Sequence, residues 1–147
     1  MKSFHTQSAE ETTELGRRLA AELRPGSIVL LRGDLGAGKT TLVKGIAEGF
    51  SAARAEEVTS PTFTLIHEYR GPEVTLYHID LYRIDTQREL DTLALDDLMT
   101  ENSILLIEWG EKFERFAKER DVEIGIEHKG GDLRVVTIGR SGNRVIG

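Results

Sequence analysis

The apolar residues near the N-terminus recur at a helical spacing. Leu15, Leu19 and Leu23 stand four residues apart, which places them on one face of an α-helix. Residues 8–11, Ser-Ala-Glu-Glu, have the form of a capping box, in which a serine and a glutamate three positions later cap the first turn. The pattern stops at Pro25-Gly26. These features predict an amphipathic helix near the start of the chain.

Two continuous apolar runs further along predict strands. Residues 28–31 and 104–107 carry no polar side chain, as is typical of strands that are buried on both faces of a parallel sheet. A second helix with an apolar stripe is predicted near residues 40–50, soon after the first run. The succession of buried strands and helices predicts an α/β protein.

Alternating apolar and polar positions predict two antiparallel hairpins. The first joins residues 63–69 to residues 74–79, and the second joins residues 122–127 to residues 133–138. An acidic segment, residues 86–99, is predicted to be helical. We therefore predict an α/β fold: a three-layer sandwich in which helices cover both faces of a mixed, largely parallel central sheet that also contains antiparallel hairpins.

Length and composition narrow the class of protein. The 147 residues suit one domain, which we place at residues 1–140, with a disordered tail at residues 141–147. No apolar run approaches the ~18 residues that a membrane-spanning helix needs, and the first residues do not resemble a signal peptide. The chain has no cysteine, which excludes disulfides, thiolate zinc sites and cysteine nucleophiles. We expect a cytoplasmic protein that does not act at a membrane.

The charge balance bears on nucleic acids as partners. The chain has 19 Lys and Arg against 25 Asp and Glu, a net charge of −6. A protein that grips a nucleic-acid backbone needs a basic face. We therefore expect no binding of DNA, and no firm hold on RNA by this chain alone.

The turn between the first buried strand and the second helix contains a phosphate-binding motif. It fits the P-loop pattern G-x-x-x-x-G-K-[ST] in full, and only about 0.01 accidental matches are expected in a chain of this composition. Its glycines let main-chain N–H groups surround phosphate oxygens, and the following helix directs its first amides at them. Lys39 would reach the β- and γ-phosphates, and the Thr40 hydroxyl would bind Mg²⁺. The candidate nucleotide-binding residues are Gly33, Asp34, Leu35, Gly36, Ala37, Gly38, Lys39, Thr40 and Thr41.

Further polar residues stand where they could complete such a site. Asp80 and Glu108 each follow an apolar strand, and ligands bind beyond the carboxyl ends of strands in sheets of this kind. Either carboxylate could serve a metal ion, or could be an ordinary exposed acid. Residues 59–62, Thr-Ser-Pro-Thr, could form a loop that senses the γ-phosphate, or a plain proline turn. His78 shares a strand face with Asp80 and could support the site, or could be a strand histidine without a role in it.

Four blocks of sequence occur in the order and at close to the spacing of a known family. They are Gly33-Asp34-Leu35-Gly36-Ala37-Gly38-Lys39-Thr40-Thr41, Ser60-Pro61-Thr62-Phe63, His78-Ile79-Asp80-Leu81-Tyr82-Arg83 and Glu108-Trp109-Gly110-Glu111. Together they resemble the bacterial TsaE (YjeE) family, small ATPases of the threonylcarbamoyladenosine modification of tRNA, over residues 6 to about 138. The P-loop alone would identify only the P-loop NTPase superfamily, whereas the four blocks together are specific.

The resemblance implies an activity and partners. It implies a protein with a P-loop NTPase-like sandwich fold that binds ATP and Mg²⁺. It also implies partners of the TsaB and TsaD type, which transfer threonylcarbamoyl to adenosine 37 of tRNAs that read ANN codons. The chain would then be an accessory ATPase that meets tRNA only indirectly. The preference for ATP over GTP rests on the resemblance, because no side-chain pattern here distinguishes the bases.

The resemblance also implies roles for single residues. It places Lys39 on the phosphates, and Thr40 and Glu108 on Mg²⁺. It places Asp80 near the attacking water and Thr62 in a switch-like loop, so that Lys39, Asp80 and Thr62 are the candidate catalytic residues.

The sequence departs from the family beside the second acid. Trp109, the one tryptophan of the chain, follows Glu108 as it does in the family motif. Many members carry proline next, whereas this chain has Gly110. Since glycine lacks the fixed φ of proline, we expect a looser loop here.

Two other functions remain open. A small-molecule kinase can use the same P-loop, but it usually needs an acceptor pocket and an arginine-bearing lid. The arginines beyond Glu108 are scattered, and no insertion has the form of a lid. The arginines beyond Glu108 are Arg115, Arg120, Arg134, Arg140 and Arg144. A nucleotide-binding switch with negligible turnover is the other alternative.

Overall fold

The computed structural model describes residues 2–34, 38–61 and 64–140. Of the candidate residues, Leu35, Gly36, Ala37 and Thr62 lie outside this description, as does the predicted tail, residues 141–147. No helix in the described ranges is long and apolar enough to cross a membrane. The elements are β1 (Lys2–Thr6), α1 (Ala9–Ala20), β2 (Ile28–Arg32), α2 (Lys39–Gly49), β3 (Ile66–Arg70), β4 (Thr75–Asp80), α3 (Gln87–Thr92), β5 (Ser103–Glu108), α4 (Glu114–Glu119), β6 (Val122–His128) and β7 (Arg134–Arg140).

The strands of the described residues pair in a single sheet, in the order β1-β7-β6-β2-β5-β4-β3. The four neighbouring strands β6, β2, β5 and β4 run parallel to one another. The outer strands β1, β7 and β3 pair antiparallel with their neighbours. Hydrophobic cores lie on both faces, with α1 and α2 over one face and α3 and α4 over the other. This arrangement confirms the predicted mixed α/β sandwich.

The two continuous apolar runs form the most deeply buried strands, as predicted. No side chain in residues 28–31 or residues 104–107 is more than 1% exposed. Val29 and Leu31 pack in the core under α1 and α2, whereas Leu30 packs in the core on the opposite face. Alternate residues of β2 therefore serve different cores, so that the strand needs apolar side chains at every position.

The first helix begins where the capping pattern predicts, but its cap differs in one detail. The Ser8 hydroxyl accepts a hydrogen bond from the N–H of Glu11 at 3.1 Å, as an N-cap serine should. The Glu11 carboxylate accepts from the N–H of Gln7 at 2.9 Å instead of from that of Ser8. The cap therefore ties the helix start to the end of β1, one residue earlier than a capping box would.

Two glycines bring α1 directly against α2. A Cβ atom on Gly45 would lie 1.9 Å from the carbonyl oxygen of Thr13, and a Cβ on Gly16 would lie 2.4 Å from that of Leu42. Only glycine permits backbones to approach so closely. The N-terminal helix is thereby held against the helix that follows the phosphate-binding motif.

Most of the acidic segment, residues 86–99, is helical, as predicted, but it is divided into two short pieces. Thr86 caps α3 through a hydrogen bond from the Glu89 N–H, but the helix ends at Thr92. Ala94 follows with a left-handed φ of +49°, and a short 3₁₀ turn, Leu95–Leu98, completes the segment. The break lets both Leu90 and Leu95 reach the same core. Propensity favours a helix here, and tertiary packing interrupts it between the two pieces.

Candidate functional site

The sheet brings the two candidate acids together. Asp80 ends β4 and Glu108 ends β5, and the two residues are register partners in this parallel pair. Glu108 is also adjacent to Leu31 of β2, two residues before Gly33, where the phosphate-binding turn begins. Three strand ends therefore meet at one edge, the position at which open α/β sheets bind ligands.

The end of the P-loop has a conformation that requires glycine. Gly38 has φ +105°, in the left-handed region, and stands just before the first residue of α2. A Cβ at this position would lie 3.3 Å from Cδ1 of Ile126 and 3.5 Å from Nε of Arg134. The arginine side chain therefore lies against the turn that precedes the first amides of α2, which are the donors that an anion would meet. This position makes Arg134 a candidate phosphate contact.

Lys39 and Glu108 form a buried ion pair. The lysine Nζ lies 3.3 Å from Oε1 of Glu108 and donates a 2.6 Å hydrogen bond to the carbonyl oxygen of Gly33. The residues are only 6% and 5% exposed. Nζ also lies 5.1 Å from the centre of the Trp109 ring, within the range of a cation–π contact. The lysine of the motif and the acid at the end of β5 thus neutralise each other.

The second oxygen of Glu108 is held by a histidine. Nε2 of His78 lies 2.6 Å from Oε2 of Glu108. Burial on its own would raise the pKa of this carboxyl, but the hydrogen bond and charge of His78, followed by the charge of Lys39, outweigh burial and lower the pKa below its usual value. Glu108 is therefore an anion at neutral pH and is suited to bind a cation.

Asp80 is held differently from its neighbour. It is 5% exposed, and its Oδ1 accepts a 2.9 Å hydrogen bond from the N–H of Tyr82. The main chain fixes the end of the strand, because the Asp80 N–H donates to Leu65 and the Leu81 N–H donates to Glu108. The carboxylate thus occupies a set place beside Glu108.

Trp109 covers the lysine side of the site. It has a left-handed φ of +64°, and its ring packs against that of Tyr82 with centroids 5.2 Å apart. Its indole N–H is buried and has no hydrogen-bond partner within the described residues. A Cβ on the buried Gly110 would lie 2.6 Å from Cδ2 of Leu30 and 2.9 Å from Cγ2 of Ile107. The glycine therefore allows close packing against the sheet.

A cavity lies on the opposite side of β2 from Glu108. It is a half-open pocket of about 60 Å³ between the start of α1, the start of α2 and the β6–β7 hairpin. Thr12, one of its residues, hydrogen-bonds through its hydroxyl to that of Thr6 at 2.7 Å. The cavity is lined by Ser8, Ala9, Thr12, Gly38, Thr41, Asp132 and Arg134.

The structure therefore unites most of the described candidates and adds others. Lys39, Glu108 and Trp109 are in contact, Asp80 adjoins Glu108, and Thr40 and Thr41 lie in the first turn of α2. From the sequence, the role of His78 was open, Arg134 belonged to a set of scattered arginines, and Thr12 was not among the candidates. The pattern offered no signal for the last two, because they come from segments far apart in the chain.

The loop before Thr62 contacts β3. Nδ1 of His67 lies 3.2 Å from the carbonyl oxygen of Thr59, and the Thr59 N–H donates to the hydroxyl of Tyr69 at 3.4 Å. These contacts place the start of residues 59–62 beside the outer strand of the hairpin. Thr62 lies outside the described residues, so its role stays a prediction.

Sequence comparison identifies relatives along nearly the whole chain. A protein of Bacillus subtilis (strain 168) named tRNA threonylcarbamoyladenosine biosynthesis protein TsaE is 40% identical over 141 residues, 96% of this chain and 87% of the relative. The Streptomyces coelicolor protein of the same name is 41% identical over 142 residues, 89% of this chain and 91% of the relative. The Nostoc protein of that name is 45% identical over 115 residues, 76% of this chain and 70% of the relative.

Comparison with solved structures agrees with the sequence comparison. The crystal structure of YdiB from Bacillus subtilis superimposes with a TM-score of 0.75 at 36% identity, and covers 97% of this chain and 86% of YdiB. The sequence profile of the family described as "Threonylcarbamoyl adenosine biosynthesis protein TsaE" matches residues 6–136. These matches confirm the resemblance carried by the four sequence blocks. With its P-loop NTPase-like fold, the chain belongs to the TsaE family.

Proposed function

We propose that this protein binds and hydrolyses ATP as an accessory to the threonylcarbamoyl modification of adenosine 37 in tRNAs that read ANN codons. Membership of the TsaE family supports the role in threonylcarbamoyladenosine biosynthesis. The partners we propose are proteins of the TsaB and TsaD type, which carry out the transfer itself. The proposed domain comprises residues 1–140, and the chain works in the cytoplasm.

The observation that carries the proposal is the buried pair of Lys39 and Glu108 at the end of the P-loop. A metal-bound nucleotide brings both signs of charge, phosphate oxygens for the lysine and a divalent cation for the carboxylate. Each residue can therefore exchange its present partner for a stronger one without being left as an unpaired buried charge. The pair prepares the site for a ligand that carries phosphate and metal together.

The available donors suit Mg²⁺. Thr40 in the first turn of α2 supplies a hydroxyl oxygen and Glu108 supplies an anionic carboxylate oxygen. Within the described residues there is no cluster of three His, Cys, Asp or Glu side chains that could hold a metal ion. Mg²⁺ characteristically binds through one or two protein oxygens together with phosphates and waters. When bound, the ion would neutralise charge on the phosphates.

The residues of the chain divide the work of hydrolysis between them. Lys39 and the first amides of α2 bind the phosphates and orient the terminal one. Asp80, held by the Tyr82 N–H, orients the attacking water and accepts its proton. The water oxygen then bonds to the γ-phosphorus while the bond from that phosphorus to the β–γ bridging oxygen breaks, which yields ADP and inorganic phosphate.

The cavity beside α1 is the proposed site of the nucleoside. Lys39 and Glu108 occupy the β5 side of the P-loop, where the terminal phosphates would lie. The opposite end of the nucleotide would then lie near Thr41, in the cavity lined by Thr12, Asp132 and Arg134. The guanidinium of Arg134, which lies against Gly38, adds a positive charge on this side.

Binding of ATP to matched lysine variants tests the proposal. Lys39→Ala removes the charge that meets the phosphates, and we expect calorimetry to show at least about tenfold weaker ATP binding, because a charge-assisted contact is lost. Lys44→Ala, on the same helix, should leave the affinity within about twofold. Unchanged affinity and turnover in Lys39→Ala would overturn the proposal, and phosphate transfer to a small acceptor would favour a kinase instead.

A further inference from the structure

His78 reaches the site from a fully buried position. Its side chain is 0% exposed on β4, two residues before Asp80 and on the same face of the sheet. Because the Glu108 carboxylate is ionised, the 2.6 Å contact must be a hydrogen bond donated by the Nε2–H of His78 to Oε2. Lys39 lies against the other oxygen, Oε1. One oxygen of the carboxylate is therefore tied to the sheet and the other faces the P-loop.

The two carboxylate oxygens of Glu108 should behave differently when a nucleotide binds. When Lys39 turns to a phosphate group, Oε1 loses its partner and becomes available to a cation. The bond from His78 to Oε2 does not involve the lysine and can persist through that exchange. A carboxylate that is fixed at one oxygen cannot rotate freely, so the free oxygen stays directed at the same place.

Packing alone does not account for a histidine at this position. Its Nδ1 is buried and has no hydrogen-bond partner within the described residues. Leu76, two residues earlier on the same face of β4, shows that an apolar side chain serves the adjoining core. An unsatisfied buried ring nitrogen is unfavourable, and the bond to Glu108 is the interaction that offsets it.

We propose that His78 is a positioning residue: by holding Oε2 it keeps Oε1 of Glu108 directed toward the metal ion of a bound Mg²⁺-nucleotide. This inference rests on the proposed function, since it assumes that the P-loop binds such a nucleotide. It predicts that His78 affects the contribution of Mg²⁺ to binding, and not the binding of the nucleotide as such.

Two variants of equal length isolate the hydrogen bond. His78→Gln keeps an N–H group at about the position of Nε2, whereas His78→Met keeps the length but removes the donor. The probe is the β,γ-imido analogue of ATP, which is not hydrolysed, and its affinity is measured by calorimetry in Mg²⁺ and in EDTA. We expect His78→Met to weaken binding about tenfold in Mg²⁺ and less than twofold in EDTA, as is usual when a group that orients a metal ligand is lost. His78→Gln should recover most of the loss.

A double-mutant cycle tests whether His78 acts through Glu108. In a Glu108→Ala chain, His78→Met should cause no further loss of Mg²⁺-dependent binding. An equal loss with and without Glu108, or equal defects in His78→Gln and His78→Met, would overturn the positioning role. If His78→Met does not fold, NMR of the unmodified chain tests the same hydrogen bond. The Nε2–H proton of His78 should exchange slowly with solvent, and its chemical shift should change in the Glu108→Gln variant. Absence of such a proton would overturn the proposal.

The outcomes separate this inference from the proposed function. If the unmodified chain binds the analogue and Lys39→Ala weakens binding, but His78→Met retains the normal effect of Mg²⁺, only the positioning role fails. If the unmodified chain shows no Mg²⁺-dependent binding at all, both proposals fail.

Discussion

Asp80 and Glu108 are register partners at the ends of adjacent parallel strands, yet the structure places the two carboxylates in different surroundings. Glu108 is held by the cationic Lys39 and by His78, whereas Asp80 accepts a hydrogen bond from the main chain at Tyr82. Two like groups in unlike surroundings commonly have separate tasks in one reaction. The arrangement supports the division in which Glu108 serves the metal and Asp80 serves the water.

Replacing each acid in turn tests that division. We predict that Glu108→Ala raises the Mg²⁺ concentration needed for nucleotide binding by about tenfold, because a metal ligand is lost. Asp80→Ala should leave nucleotide affinity almost unchanged and lower kcat by about 10²-fold or more, because a general base is lost. The measurements are a Mg²⁺ titration and single-turnover phosphate release.

An exposed acid provides the control for both variants. Asp97 lies in the 3₁₀ turn after α3, away from the P-loop, and Asp97→Ala should change neither quantity. A result in which Asp80→Ala shifts the Mg²⁺ titration and Glu108→Ala affects only turnover would reverse the two roles.

The tight packing of Gly110 predicts a loss of stability on substitution. In Gly110→Pro the ring would contact Leu30 and Ile107, since even a Cβ would lie within 3 Å of both. We expect the free energy of unfolding to fall by about 1–3 kcal/mol, the usual effect of overpacking. Urea denaturation measures this quantity.

The matched control is a glycine with open space around it. A Cβ on Gly131 meets no atom within 4 Å, and its φ of +53° is one that asparagine tolerates. Gly131→Asn should therefore change the unfolding free energy by less than about 0.5 kcal/mol. Equal or greater stability of Gly110→Pro would contradict the packing argument.

Trp109 should report the exchange of partners at Lys39. The lysine Nζ lies 5.1 Å from the centre of the indole ring, so its movement toward a phosphate changes the electric field at the ring. We predict a change in fluorescence when Mg²⁺ and the imido analogue of ATP are added, with no second tryptophan to obscure it. Lys39→Ala should lose most of this change. An unaltered emission spectrum at a concentration where calorimetry shows saturation would refute the prediction.

The charge of the chain predicts weak contact with RNA. At a net charge of −6, few phosphates can be neutralised, and we expect the isolated protein to bind tRNA with a Kd weaker than about 10⁻⁵ M at physiological salt. Fluorescence anisotropy with labelled tRNA measures this, first with the protein alone and then with proposed partners. Tight binding by the protein alone would contradict the indirect role.

Local patterns were sufficient to predict the centre of the fold and to select the residues proposed for the site. The runs that became β2 and β5 are apolar at every position because each strand faces two cores, and that pattern is visible in the chain itself. Glu108 could be selected as a candidate because it ends such a strand, Asp80 because it ends the alternating strand β4, and Lys39 because it belongs to a contiguous motif.

The remaining features depend on contacts between distant segments. Strand β1 was not predicted, because its five residues are mostly exposed and its pairing with β7 spans almost the whole chain. Arg134 reaches Gly38 only because β7 returns beside β6. We expected Gly110 to loosen its loop, but the turn after β5 brings Gly110 into close contact with Leu30. No pattern in the sequence indicated this contact.

We propose that the accessory ATPase is slow alone and is activated by its partners, and steady-state release of phosphate from ATP tests this central proposal most directly. Within the described residues Arg134 is the arginine found against the P-loop, and it lies on the side of the proposed nucleoside, away from Glu108. An arginine supplied by a partner can accelerate hydrolysis by about 10³–10⁵-fold. We predict slow release by the protein alone and a rise of at least about 10²-fold when TsaB- and TsaD-type partners are added. Release at tens per second by the protein alone, with no response to the partners, would contradict the account.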